Sequence, residues 1–137
     1  MEQLSLTVFE QRANRVLLLR ELVVYFQKAQ RSIVLTDLKG MEKHIAAQHQ
    51  LCLALLALGD PDAEQISPDS SAGARMRWNT LTQDLREMEC RAHHLGRVQA
   101  ALLRRSRRTQ ELMARLLATT AITYSPPVVA HATAAGK

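Results

Sequence analysis

Cys90 and His94 lie four residues apart, the spacing that sets two side chains on one face of a helix, and His93 adjoins them. His44, His49 and Cys52 form a second group. Thiolate and imidazole suit zinc, but a structural zinc site takes four ligands in a tetrahedron. Two ligands on one helical turn supply only half, and completion needs Cys52 to face Cys90 across two helices. The plainer reading is small residues on helix seams and imidazoles at the surface, so no metal and no cofactor are expected. Catalysis has still less support. No Ser or Cys sits in a motif with a base, no glycine-rich phosphate loop follows a strand, and no carboxylate pair falls in an expected pocket. The chain does not read as an enzyme.

Charge is the stronger signal. The formal net charge is +5, and the stretch from Arg91 to Arg115 holds seven arginines against one acid, Glu111. That stretch alone is +6, so the rest is close to neutral. A local basic stripe describes one partner surface rather than a fold. Phosphate contacts need Arg or Lys on one face, and Arg104, Arg105, Arg107, Arg108 and Arg115 offer that. No recognition motif and no aromatic stacking platform accompany them. Arg104 and Arg108 form an i, i+4 pair on a solvated face, and nucleic acid is disfavoured as the partner.

The elements that must position these groups are helices. With 137 residues one domain is expected. Leucine, alanine, glutamate, glutamine and arginine dominate, aromatics make up 4%, and Gly and Pro are confined to a few places. No window is apolar enough for a membrane span. The start, MEQLSLTVFEQRANR, lacks a basic region followed by an apolar run, so no secretory signal is expected. Two cysteines are too few for a disulfide framework. The expectation is a cytoplasmic protein with two free thiols, each on a helix seam.

A first helix is predicted over about 6–35. Val16, Leu19, Val23, Phe26 and Ile33 are spaced three, four, three and seven apart, with Gln30 in the missing slot. A second is predicted over 37–58, capped by Thr36 or Asp37, with Leu38, Met41, Ile45, Gln48, Cys52 and Leu55 as its seam. Gly59 and Pro61 end it. Residues 59–74, GDPDAEQISPDSSAGA, read as a mobile loop with almost nothing to bury. A third helix is predicted over 75–120, opened by Trp78 as an anchor at the end of the bundle. Its seam is Trp78, Leu81, Leu85, Met88, Ala92, Leu95, Gln99, Leu102, Ser106, Thr109, Met113 and Leu116. The seam turns polar after Leu95, and apolar residues move off it to Val98, Leu103, Leu112 and Leu117.

At about 1.5 Å per residue the three helices span roughly 45, 33 and 70 Å. Short connections make neighbours antiparallel. The fold class is therefore all-α, an antiparallel three-helix bundle or coiled coil over 1–121, with a long third helix extending past the first two. Residues 122–137 are expected as a flexible tail, because Pro126 and Pro127 block helix continuation. Two shorter helices cannot cover a longer one, so the stripe of Val98, Leu102, Leu103, Leu112, Met113, Leu116 and Leu117 is expected to be exposed. Such a stripe marks a binding face for another helix.

Taken together, these segments resemble the flagellar type III export chaperones of the FlgN family. The likeness rests on a first helix ending before Asp37 and Leu38, and on a second closing with a Leu-rich turn and Gly59. It rests also on a long third helix with Leu102, Leu103 and Ser106, and on the C-terminal Thr123, Tyr124 and Pro126. It covers nearly the whole chain. The resemblance implies a small cytosolic chaperone that holds hook-associated proteins of the hook–filament junction unassembled through their C-terminal helices. It implies delivery to the export gate, with Tyr124 as the docking residue. Two other readings stay open: a basic helical adaptor for nucleic acid, and a homodimeric coiled coil that buries the same leucines.

Overall fold

A computed structural model describes the backbone of residues 2–135, with side chains described over 7–119. Three helices follow in order, α1 (Glu2–Val34), α2 (Leu38–Ala57) and α3 (Ala72–Ala135), with a 3₁₀ turn at Pro61–Ala63 before α3. The fold is all-α, and among the described residues there is no strand. No described helix is long and apolar enough to cross a membrane. The chain forms two compact units, Met1–Ala100 and Ala101–Lys137.

The first unit is a three-helix bundle. Arg15, early in α1, donates to the Leu58 carbonyl just past α2 (3.4 Å), while the Tyr25 carbonyl, later in α1, accepts from Gln48 within α2 (3.1 Å). α1 and α2 are therefore antiparallel. Arg12 donates to Thr82 and Gln30 to the Leu95 carbonyl, so α3 runs parallel to α1.

The α1–α2 reversal has a defined cause. Asp37 N bonds to Ser32 O (2.8 Å) and Thr36 N to Ile33 O (3.2 Å), the paired bonds of a Schellman ending. That ending needs a left-handed residue, and Thr36 supplies it at φ 57°. Asp37 then caps α2 by accepting from Gly40 N (3.1 Å). A Cβ on Gly40 would run into the Asp37 carboxylate, so the glycine that weakens the helix locally makes room for its cap.

The core joins Val16, Leu19, Leu22 and Val23 of α1 to Leu85 and Ala92 of α3, with Phe26, Leu51, Leu55, Met88 and Leu95 packed around them. It is shallow. Among the described residues no large side chain falls below 2% exposure, and the buried polar ones (Arg12, Arg15, Ser32, Gln48, Glu64 and Gln99) nearly match the buried apolar ones in number. Stability in such a bundle depends on how well those polar groups are paired.

Helix bounds differ from the sequence reading at three places. α1 begins at Glu2 rather than at about 6. α3 begins at Ala72 rather than 75, because Ser71 Oγ accepts from Ala74 N (3.2 Å) and caps it. It is also helical on to Ala135, where an end near 120 and a tail over 122–137 are predicted. Pro126 and Pro127 each remove one backbone hydrogen bond, and beyond them Ala130, Ala132, Ala134 and Ala135 favour helix.

Candidate functional site

Of the residues expected in the stripe, Val98 belongs to the first unit. Val98 is half-buried, and its neighbour Gln99 is buried at 8% exposure. Gln99 and Gln48 exchange two side-chain bonds, Gln48 Nε2 to Gln99 Oε1 at 2.7 Å and Gln99 Nε2 to Gln48 Oε1 at 2.8 Å. The sequence reading takes Gln99 as the sign that the helix has left the bundle. The structure corrects this: two seam glutamines satisfy one another, so the packed part of α3 reaches Gln99 rather than stopping at Leu95.

The second unit carries the rest. Leu102, Leu103 and Ser106 are half-buried, so the exposure expected of both leucines holds only in part. Leu112 (58%), Met113 (55%), Leu116 (63%) and Leu117 (65%) are exposed, as the stripe argument expects. At 100° per residue the six apolar residues among these spread over roughly half the helix circumference. Arg104, Arg105, Arg107, Arg108 and Arg115 are exposed beside them. Arg107 pairs with Glu111 (Nε to Oε1, 3.5 Å) on a solvated face, a contact of little weight. Thr109 Oγ1 donates back to the Arg105 carbonyl (3.0 Å), which turns its hydroxyl into the helix and makes its surface less polar. The Tyr124 side chain lies outside the described residues.

Three arrangements escaped the sequence reading. The first is a buried ionic clamp. Arg15 Nε donates to Glu64 Oε1 (3.1 Å), and Arg12 Nη2 lies 3.9 Å from the same oxygen. Arg12 also donates to Thr82 Oγ1 (2.7 Å) and the Pro61 carbonyl (2.8 Å), and stacks on Trp78 at 4.1 Å. Phe9 meets Trp78 edge-on at 5.4 Å, which makes Trp78 the anchor expected of it. Burial lowers the Arg12 pKa, opposed by the charge of Glu64. The loop is thus not without anything to bury, because Glu64 is 8% exposed and ties it to α1. The legible signal was register: Phe9 and Arg12 continue the Val16–Leu19 seam backwards, and a seam arginine needs a buried counter-charge.

The second arrangement is an open groove of about 780 Å³ with Leu19, Leu22 and Phe26 of α1 in its wall and Cys52, Cys90 and His93 on its rim. Both thiols are exposed, which corrects their placement in the seams. Among the described residues no three His, Cys, Asp or Glu side chains converge to hold a metal. The third is the Gln30 amide donating to the Leu95 carbonyl (3.2 Å), which explains the polar slot in the α1 seam.

Compared with known protein families, with curated proteins and with solved structures, the chain matches none.

Proposed function

We propose that this chain is a helical partner-binding protein of the export-chaperone kind. It would hold hook-associated proteins unassembled in the cytosol and deliver them to the flagellar type III export gate. One observation carries the reading: Leu112, Met113, Leu116 and Leu117 stand 55–65% exposed on one helix face beside a row of arginines. Large apolar side chains grouped in this way lose water when a second helix covers them. Leu102 and Leu103, half-buried in the second unit, belong to the proposed client-binding set, as does Val98 of the first unit. The likeness of the helix order and of Thr123, Tyr124 and Pro126 to FlgN-type chaperones supplies the flagellar part of the proposal. Tyr124 is then the residue that meets the gate, since an aromatic ring buries a large area at little entropic cost.

Two measurements test this. The tagged full chain, expressed in a flagellated host, is expected to retain a hook-associated protein. Capture of flagellin or of no flagellar protein sinks the flagellar assignment. Tyr124→Ala is expected to keep client binding and lower the amount of client secreted, and equal secretion removes the docking role.

A further inference from the structure

We propose that the leucine face of residues 101–119 takes an acidic amphipathic helix, whose carboxylates lie along one edge of its own apolar face. The inference rests on the partner-binding reading above and adds the chemistry of the partner. Its basis is where the arginines stand. At 100° per residue, Arg104, Arg108 and Arg115 fall within about 40° of one another, and Arg105 lies about 60° further round, beside Leu112. All four are exposed, and no carboxylate among the described residues pairs with them. The one acid of this stretch, Glu111, pairs with Arg107 on the other side of the basic row. The face is therefore asymmetric. One edge is basic over about 16 Å of helix, and the other holds Leu103, Gln110 and Leu117.

That asymmetry selects among occupants. A helix seated on the leucines brings its flanking positions against the arginine row, where carboxylates are attracted and ammonium groups repelled. A second copy of this chain fits poorly. An antiparallel copy sets the basic edge against itself, and a parallel copy sets it against an edge that holds no acid. A lipid surface fits poorly as well. Arg105, Ser106 and Gln110 interrupt the apolar arc, and the face has no Trp, Tyr or Phe for the interface. A nucleic acid would use the arginines and leave the leucines in water.

The test uses the full chain and two 21-residue helical peptides with leucine at the first and fourth places of each heptad. One carries glutamate at the places flanking the leucines, and the other carries lysine there. Fluorescence anisotropy at low and high salt gives both affinities. The acidic peptide is expected to bind roughly tenfold more tightly at low salt, from several exposed charge pairs acting together. The variant R104E/R108E/R115E, checked for unchanged helicity, is expected to reverse that preference. Equal affinity for both peptides overturns the acidic partner and leaves the partner-binding reading standing. Binding of neither peptide, with retention on anionic vesicles or duplex DNA, overturns both. Binding of none of these probes overturns the acidic-helix proposal alone, because capture of a hook-associated protein is scored separately.

Discussion

Leu85 and Leu116 belong to the same helix and the same seam, yet one is 4% exposed and the other 63%. The difference does not lie in the leucines. Leu85 belongs to one buried cluster with Val16, Leu19, Leu22 and Val23, whereas Leu112, Met113 and Leu117, close to Leu116 in sequence, are themselves exposed. Polar residues follow the same division. In the bundle Gln48, Gln99, Arg15 and Glu64 are buried and paired, whereas in 104–115 the arginines face water. The bundle uses its polar groups to fix its own register. The second region holds out Leu112, Met113 and Leu117 beside Arg104, Arg105, Arg108 and Arg115, all exposed.

The largest expected effect probes the bundle side of this contrast. Glu64→Ala leaves two buried guanidinium groups without their carboxylate, and removing one partner of such a pair costs about 3–5 kcal/mol. For a bundle of this size that lowers the melting midpoint by more than about 10 °C. A drop of only a degree or two would show that the clamp opens to water in solution. Next in size is the glutamine pair. Gln48→Leu and Gln99→Leu each strand a buried amide and are expected to cost about 1–3 kcal/mol in urea unfolding. The double variant is expected to recover much of that loss, apart from the bond from Gln48 to the Tyr25 carbonyl. Additive losses would mean the two amides are solvated separately. Smaller and of opposite sign is Thr36→Gly. It removes a β-branched residue from a left-handed position and is expected to stabilise by about 1 kcal/mol. A loss of stability would place the Thr36 side chain in a contact that matters more than its backbone.

These residues also show how far the sequence could be read. Three helices, their order and the exposure of Leu112 to Leu117 were legible, because a seam repeating every three and four residues has only one helical solution. Gln99 was misread because its partner lies 51 positions away on α2. A polar residue on a seam looks the same in sequence whether it leaves the core or pairs inside it. Glu64 was hidden for a related reason. It sits among Asp, Ser and Pro, where composition signals a loop, and only the register of Arg12 behind Val16 hinted at the charge it must meet. Ser71 was the more avoidable omission, since a serine three residues before Ala74 is an ordinary helix start.

The exposed leucines of α3 are proposed to serve a partner and not the fold. Leu112→Gln with Leu117→Gln tests this in one paired measurement, thermal unfolding of the free chain and binding of a hook-associated protein to it. Glutamine keeps the helix propensity of leucine, and both positions are more than half exposed. Stability is expected to stay within about 0.5 kcal/mol of the parent, with a loss of binding of roughly tenfold or more. Unchanged binding, or a fall in stability as large as that from a core leucine, would contradict this role.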